Sequence, residues 1–185
     1  MSTVAQKLIT AEEFMRMPDP ADGSKQELVR GEVITKPPPH FKHGFRQANT
    51  VSLLHAWARS SQKGRVTPES GVITEREPDT VRGPDVAFWS AERSPLSIVP
   101  DGYPDVAADL IVEIISATKR LARIIDKMRE YFEAGVRMVW IVYSEDHTVR
   151  VYRSLDEGKI LHSSATLSGE DVLPGFTCKV AELFA

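Results

Sequence analysis

Leu110-Ile111-Val112-Glu113-Ile114-Ile115 is the segment that most constrains how this chain can fold. Apolar residues that do not alternate with polar ones read as a strand covered on both faces. Helical spacing follows at once. Lys119–Ala134 carries Leu121, Ile124, Ile125, Met128 and Phe132 on one stripe and stops at Gly135. Met138–Tyr143 then supplies a second apolar strand rich in β-formers. Strand, helix and strand in that order form a crossover unit, so the two strands are expected to be parallel neighbours in one sheet.

Glu113 interrupts the most apolar strand of the chain. A carboxylate there is costly unless it is paired, protonated or metal-bound. Either an Arg or Lys neutralises it as a structural pair, or it belongs to a working site, where buried ionisable groups concentrate. Asp85 favours the second reading. It follows Pro84 at the opening of a short strand, Pro84–Trp89, where a neighbouring strand can bring it beside Glu113. Alone, an Asp in that position would be expected to cap loop amides. Together, two carboxylates from adjacent strands make an oxygen-rich site suited to Mg²⁺ or Mn²⁺. No His/Cys set with zinc spacing competes, and the one cysteine, Cys178, excludes an internal disulfide.

The remaining elements are shorter. Thr10-Ala11-Glu12-Glu13 has the form of a capping box and opens a helix over Ala11–Met17, ended by Pro18-Asp19-Pro20. Gln26–Val29 and Glu32–Thr35 flank Arg30-Gly31 as a hairpin. Beyond Pro37-Pro38-Pro39, Phe45, Ala48, Val51, Leu54 and Trp57 mark a helix from His43 to Gln62, closed by Gly64. Arg65–Thr74 is β-like with a turn at Pro68–Gly71, and a loop runs from Ser94 to Pro104. Thr148–Arg153 and Lys159–His162 form a more polar β region, followed by a turn at Leu173–Phe176 and a short helical tail. The expected class is α/β (α+β): a mixed central sheet flanked by helices, with additional antiparallel strands, in one domain over residues 1–185.

Composition narrows the function. Hydrophobic content of 42% and charged content of 26% are those of a soluble globular protein. The opening MSTVAQKLIT lacks the apolar core of a signal peptide, and no apolar run reaches the roughly 20 residues needed to span a bilayer. With one cysteine, a cytoplasmic home is expected. Net charge is −3, so any contact with nucleic acid must rest on a local basic surface. The glycine patterns of P-loop and dinucleotide-binding proteins are absent.

Several segments, taken in order, carry a family likeness: Gly83-Pro84-Asp85-Val86-Ala87-Phe88, Asp109 through Ser116, Lys127-x-x-x-Tyr131-x-x-x-Gly135-Val136, and Val139-Trp140-Ile141-Val142. With Glu27-Leu28-Val29-x-Gly31-Glu32-Val33-Ile34 and Val172-Leu173-Pro174-Gly175-Phe176, they resemble the bacterial Uma family of restriction endonucleases over nearly the whole chain. The resemblance implies the PD-(D/E)xK restriction-endonuclease-like fold, divalent metal dependence and hydrolysis of DNA phosphodiester bonds. It makes Asp85, Glu113 and the backbone carbonyl of Ile114 the ligands of one or two Mg²⁺ or Mn²⁺ ions. The general pattern places a lysine two residues after the second acid, where this chain has Ile115; the resemblance moves that role to Lys127 on the following helix. At about 100° per residue, Lys127 and Tyr131 share one flank of that helix, and a long lysine stem can follow the core to the strand ends. The family tends to carry Asp one turn before this lysine and Pro after Ser116; here those positions are Arg123 and Ala117.

By the same resemblance Glu27 extends the acidic cluster; otherwise it is an exposed hairpin charge. His43, near a helix N-terminus suited to phosphate, is a candidate to contact substrate or steer a water, or else a surface cap. His40 is a weaker candidate of the same kind. Tyr131 reads first as core packing, and Lys42, Arg46 and Arg82 as solvent-facing charges that phosphate can also use. DNA is the expected partner, and a homodimer is expected because two sites can then address two strands. The alternative is a nuclease fold without catalysis, binding DNA or acting as a regulatory or interaction protein. Arg123 and the negative net charge favour that alternative.

Overall fold

The structure, a computed structural model, describes residues 7–115 and 121–185. Its elements are α1 (Ala11–Met15), β1 (Lys25–Val29), β2 (Glu32–Lys36), α2 (Phe41–Ser61), β3 (Gly64–Pro68), β4 (Val72–Glu75), β5 (Thr80–Arg82), β6 (Val86–Ser90), β7 (Leu110–Ile115), α3 (Leu121–Glu133), β8 (Met138–Tyr143), β9 (Thr148–Tyr152), β10 (Gly158–Leu161), β11 (Thr166–Ser168) and β12 (Thr177–Lys179). A short 3-10 turn, Val180–Leu183, forms the helical tail.

The central sheet has the order β10-β9-β8-β7-β6-β3. β7 and β8 pair in parallel, from Leu110 opposite Met138 to Ile115 opposite Tyr143, as the crossover requires. β6 joins β7 antiparallel, with Val86 opposite Val112. Every residue of β7 and β8 is buried, and period-2 alternation divides them between two cores. Val86, Phe88, Leu110, Val112, Ile114, Met138, Trp140 and Val142 pack with Leu54 and Ala58 of α2 and with Leu173, Phe176 and Leu183. Ala87, Trp89, Ile111, Ile115, Val139, Ile141 and Tyr143 pack with Ile124, Met128 and Tyr131 of α3. Two covered faces account for the unbroken apolar run, and alternation puts Glu113 on the face that α3 covers.

A second sheet, β2-β1-β5-β4, has its own small core of Ala11, Phe14, Leu28 and Val81. β11 and β12 form a two-stranded third sheet. Two readings of the sequence change here. Residues 65–74 are not one β unit: β3 lies at the edge of the central sheet and β4 in the second sheet, with β5 between β4 and β1. Gly64 does not close α2. That helix runs from Phe41 to Ser61, and Gln62 takes the left-handed conformation at its end (φ 53°). Gly64 instead opens β3, where a Cβ would stand 2.2 Å from the Trp89 carbonyl oxygen, so glycine is there for close backbone approach. α1 stops at Met15, two residues short of the expected end. Gly135, at φ +95°, ends α3 as its position suggests. Among the described residues, no helix is long and apolar enough to cross a membrane.

Candidate active site

Asp85 immediately precedes β6 and is 6% exposed. Since Val86 faces Val112, Asp85 stands across from Glu113 at the end where β7 finishes. Its Oδ2 accepts the Ile114 N–H at 2.6 Å, which ties the carboxylate to the residue after Glu113. Its Oδ1 lies 2.9 Å from Nε2 of His43 and 3.7 Å from Nζ of Lys25. The turn itself is held by Gln47 of α2, whose side-chain N–H donates to the Asp85 carbonyl at 2.8 Å.

Glu113 receives two donors from one flank of α3. Lys127 Nζ lies 2.8 Å from its Oε1, and the Tyr131 hydroxyl donates to the same oxygen at 2.6 Å. No hydrogen bond among the described residues reaches Oε2. Lys127 also lies 2.9 Å from Oε1 of Glu27. Glu27 is only 2% exposed, so it is not an exposed hairpin charge. Its Oε2 takes Lys36 and, at 3.0 Å, Arg82, while the Gly83 N–H donates to its Oε1. Arg82 in turn grips both oxygens of Glu130 at 2.6 and 2.7 Å, a forked pairing that occupies the guanidinium.

The charges therefore settle one another. Burial pushes the Glu27 carboxyl upward, but Lys127 and Lys36 outweigh it and bring the group down to about 2. Burial opposes the Lys127 charge, yet Glu113 and Glu27 hold the ammonium above its ordinary range. For Asp85, burial again raises the group, and the His43 contact, the Ile114 N–H and Lys25 overcome it, so the carboxyl stays below its usual value. Burial and Glu113 raise the Tyr131 phenol well above its ordinary value, so it remains a donor.

Glu27 gives a measurable consequence. Against an ordinary value of 4.5, its folded value of about 2 means the unfolded chain binds the proton more readily. The stabilisation is full above about 4.5 and drains as pH falls toward 2, and it amounts to roughly 3 kcal/mol. Urea unfolding of the wild type is expected to lose stability steeply between pH 5 and pH 3, and Glu27→Gln should flatten that slope. Equal slopes would mean that the carboxylate is not held by these cations.

The sequence-derived set is thus brought together in part by direct contact. Lys127 joins Glu113 to Glu27, and His43 touches Asp85, which is bonded to Ile114. Lys25, Lys36, Gln47, Glu69 and Glu130 escaped the sequence reading. Lys25 Nζ sits 2.6 Å from Glu69 and Gln47 donates to Glu69 at 3.1 Å, and a polar residue in a short strand, in a loop or on a helix carries no local signal of such a meeting. Lys42 and His40 are exposed, and the Arg46 guanidinium lies 5.6 Å from the centre of the Phe184 ring. Arg82 is committed to Glu27 and Glu130. Ser116, Ala117 and the Arg123 side chain lie outside the described residues. Among the described residues, no group of three or more His, Cys, Asp and Glu side chains converges on one point. The donors that fit a cation are two carboxylates and the Ile114 carbonyl, all hard oxygens, with Oε2 of Glu113 unengaged; this chemistry suits Mg²⁺ or Mn²⁺.

A mixed central sheet with a parallel β7–α3–β8 crossover and acids where β6 begins and β7 finishes defines the restriction-endonuclease-like class of nuclease fold. The chain belongs to the Uma2 family, described as "Putative restriction endonuclease", whose model matches residues 11–181. The crystal structure of a "putative nuclease belonging to DUF820" from Anabaena variabilis ATCC 29413 superposes with a TM-score of 0.73 at 23% identity, covering 95% of this chain and 97% of that one. At that identity the likeness speaks for the fold. No curated protein matches the chain.

Proposed function

We propose that this protein is a Mg²⁺- or Mn²⁺-dependent endonuclease that hydrolyses DNA phosphodiester bonds. The observation that carries the proposal is the Lys127 ammonium 2.8 Å from Glu113, which restores the acid–lysine partnership that Ile115 breaks in the strand. Asp85, Glu113 and the Ile114 carbonyl would hold the cation. When bound, such an ion supplies Lewis acidity toward the phosphodiester and toward a water.

The chain's own groups do the rest. Lys127 orients the attacking water or stabilises the negative charge that develops on the phosphoryl oxygens. Glu27 keeps Lys127 charged and in place, and Tyr131 fixes the orientation of Glu113. His43 and the Ile114 N–H fix Asp85. Attack by water in line with the leaving 3′ oxygen forms one P–O bond and breaks another, leaving a 5′-phosphate and, after proton uptake, a 3′-hydroxyl. One domain spanning the chain, working in the cytoplasm as a homodimer, suits a substrate with two strands to cut.

Purified protein is expected to nick supercoiled plasmid in Mg²⁺ or Mn²⁺ and to stop when EDTA is added. Nicking that ignores EDTA would overturn the metal-dependent reading, and no nicking in either metal would overturn the endonuclease reading.

A further inference from the structure

Two polar side chains meet at the finishing end of β8 and on the adjacent β9 without hydrogen-bond partners among the described residues. The Tyr143 hydroxyl and Nε of Arg150 are buried and neither accept nor donate a hydrogen bond there. Tyr143 is 9% exposed. Buried polar groups are rarely left unpaired, and each such group costs roughly 1–3 kcal/mol, so two in contact call for a reason. Arg82, Arg93 and Arg137 each hold a carboxylate, whereas no ion pair among the described residues includes Arg150. Its guanidinium lies instead 4.5 Å from the centre of the Tyr143 ring.

Register relates this cluster to the acids. Glu113 is opposite Ile141 across β7–β8, and Ile141 is opposite Arg150 across β8–β9. The three form one in-register row on one face of the sheet, which places the Arg150 backbone about 10 Å from that of Glu113 at the usual strand spacing. From there the guanidinium leans over Tyr143, toward the end of β8 that lies level with the end of β7. Glu145 and Asp146, exposed in the turn after Ser144, are the nearby acids, and both are free to remain in solvent.

We infer that Arg150, with Tyr143 beneath its guanidinium, forms a phosphate-binding subsite for the DNA backbone, one that engages a phosphate beside the one that is cut. A guanidinium supplies a planar fork of N–H donors, and the Tyr143 hydroxyl supplies an O–H donor; together they match phosphate oxygens and would satisfy both unpaired groups at once. Arg150 is thus a positioning residue that sets where the strand lies relative to Asp85 and Glu113. The inference rests on the DNA reading above.

The test measures binding rather than cleavage. A fluorescein-labelled oligonucleotide duplex is titrated in Ca²⁺ with the full chain, and log Kd is followed against log salt by anisotropy. Arg150→Gln is expected to weaken binding about tenfold and to reduce the salt slope by about one phosphate contact. Tyr143→Phe, which removes one oxygen and keeps the ring under the guanidinium, should weaken binding a few-fold at unchanged slope. Arg150→Lys should keep the slope and recover part of the affinity. Thermal melts of each variant accompany the titrations. Wild-type affinity and slope in a folded Arg150→Gln would overturn the subsite while leaving the nuclease reading intact. If Arg150→Gln does not fold, wild-type affinity in Tyr143→Phe overturns it. A wild type that shows no salt-dependent DNA binding would overturn the DNA reading and the subsite together.

Discussion

Glu113→Gln is expected to lower metal-dependent plasmid nicking by more than roughly 100-fold, because it removes a formal charge from the proposed cation site, which has only two carboxylates. The fold should survive the change. A glutamine carbonyl still accepts the Tyr131 hydroxyl, and Lys127 keeps Glu27 as an ion-pair partner at 2.9 Å. Asp85→Asn makes the companion case: its side-chain oxygen can still accept the Ile114 N–H, so the strand end is retained while the charge is lost. Initial nicking rates at saturating Mg²⁺, with melting curves on the same samples, separate chemistry from stability. Rates equal to wild type in both variants would show that the nicking comes from elsewhere and that these two acids do not carry the reaction.

Lys127→Met is expected to have the largest effect on stability. The substitution keeps much of the stem's volume and removes the ammonium that lies between Glu113 and Glu27, 6% and 2% exposed. Breaking a buried ion pair by deleting one partner typically costs about 3–5 kcal/mol. In a chain of this size that corresponds to a fall in melting temperature on the order of 10 °C. The pH dependence carries a sign. With Lys127 gone, the cation first among those holding Glu27 down is gone, so its carboxyl rises and protonates more readily; the deficit relative to wild type should therefore shrink from pH 8 to pH 5. Adding Glu27→Gln to Lys127→Met should recover part of the loss, since one of the two stranded charges is then neutral. An unchanged melting temperature at pH 8 would mean that Lys127 is solvated rather than inserted between the acids.

Those two residues also show how much was legible in the sequence. β7 and β8 were readable because their apolar runs are uninterrupted and α3 because its stripe has helical spacing; Glu113 stood out as a charge where a strand should be covered, and Asp85 gained meaning only beside it. Lys127 was reachable only through the resemblance, since a lysine on an amphipathic helix looks the same whether it faces solvent or a buried carboxylate. Glu27 was left between two readings for the same reason: a hairpin has two faces, and only the docking of the second sheet decides which is closed. β5 was missed because a strand of three residues carries too little pattern, and Gly64 was misread because a glycine after a helix fits both a stop signal and a close strand contact. Lys36, Gln47 and Glu130 depend on contacts between elements far apart in the chain, which no local spacing encodes.

The Glu27 cluster has a bearing on how this molecule tolerates change. Lys36 and Arg82 come from the small sheet, Lys127 and Glu130 from α3, and all of them are fastened through one carboxylate or its neighbour. The hairpin can thus leave the helix only by stranding a lysine beside Glu113. Random mutagenesis of the hairpin should yield few clones that stay folded and merely lose cleavage, because any change that frees the hairpin also unmakes the proposed catalytic corner.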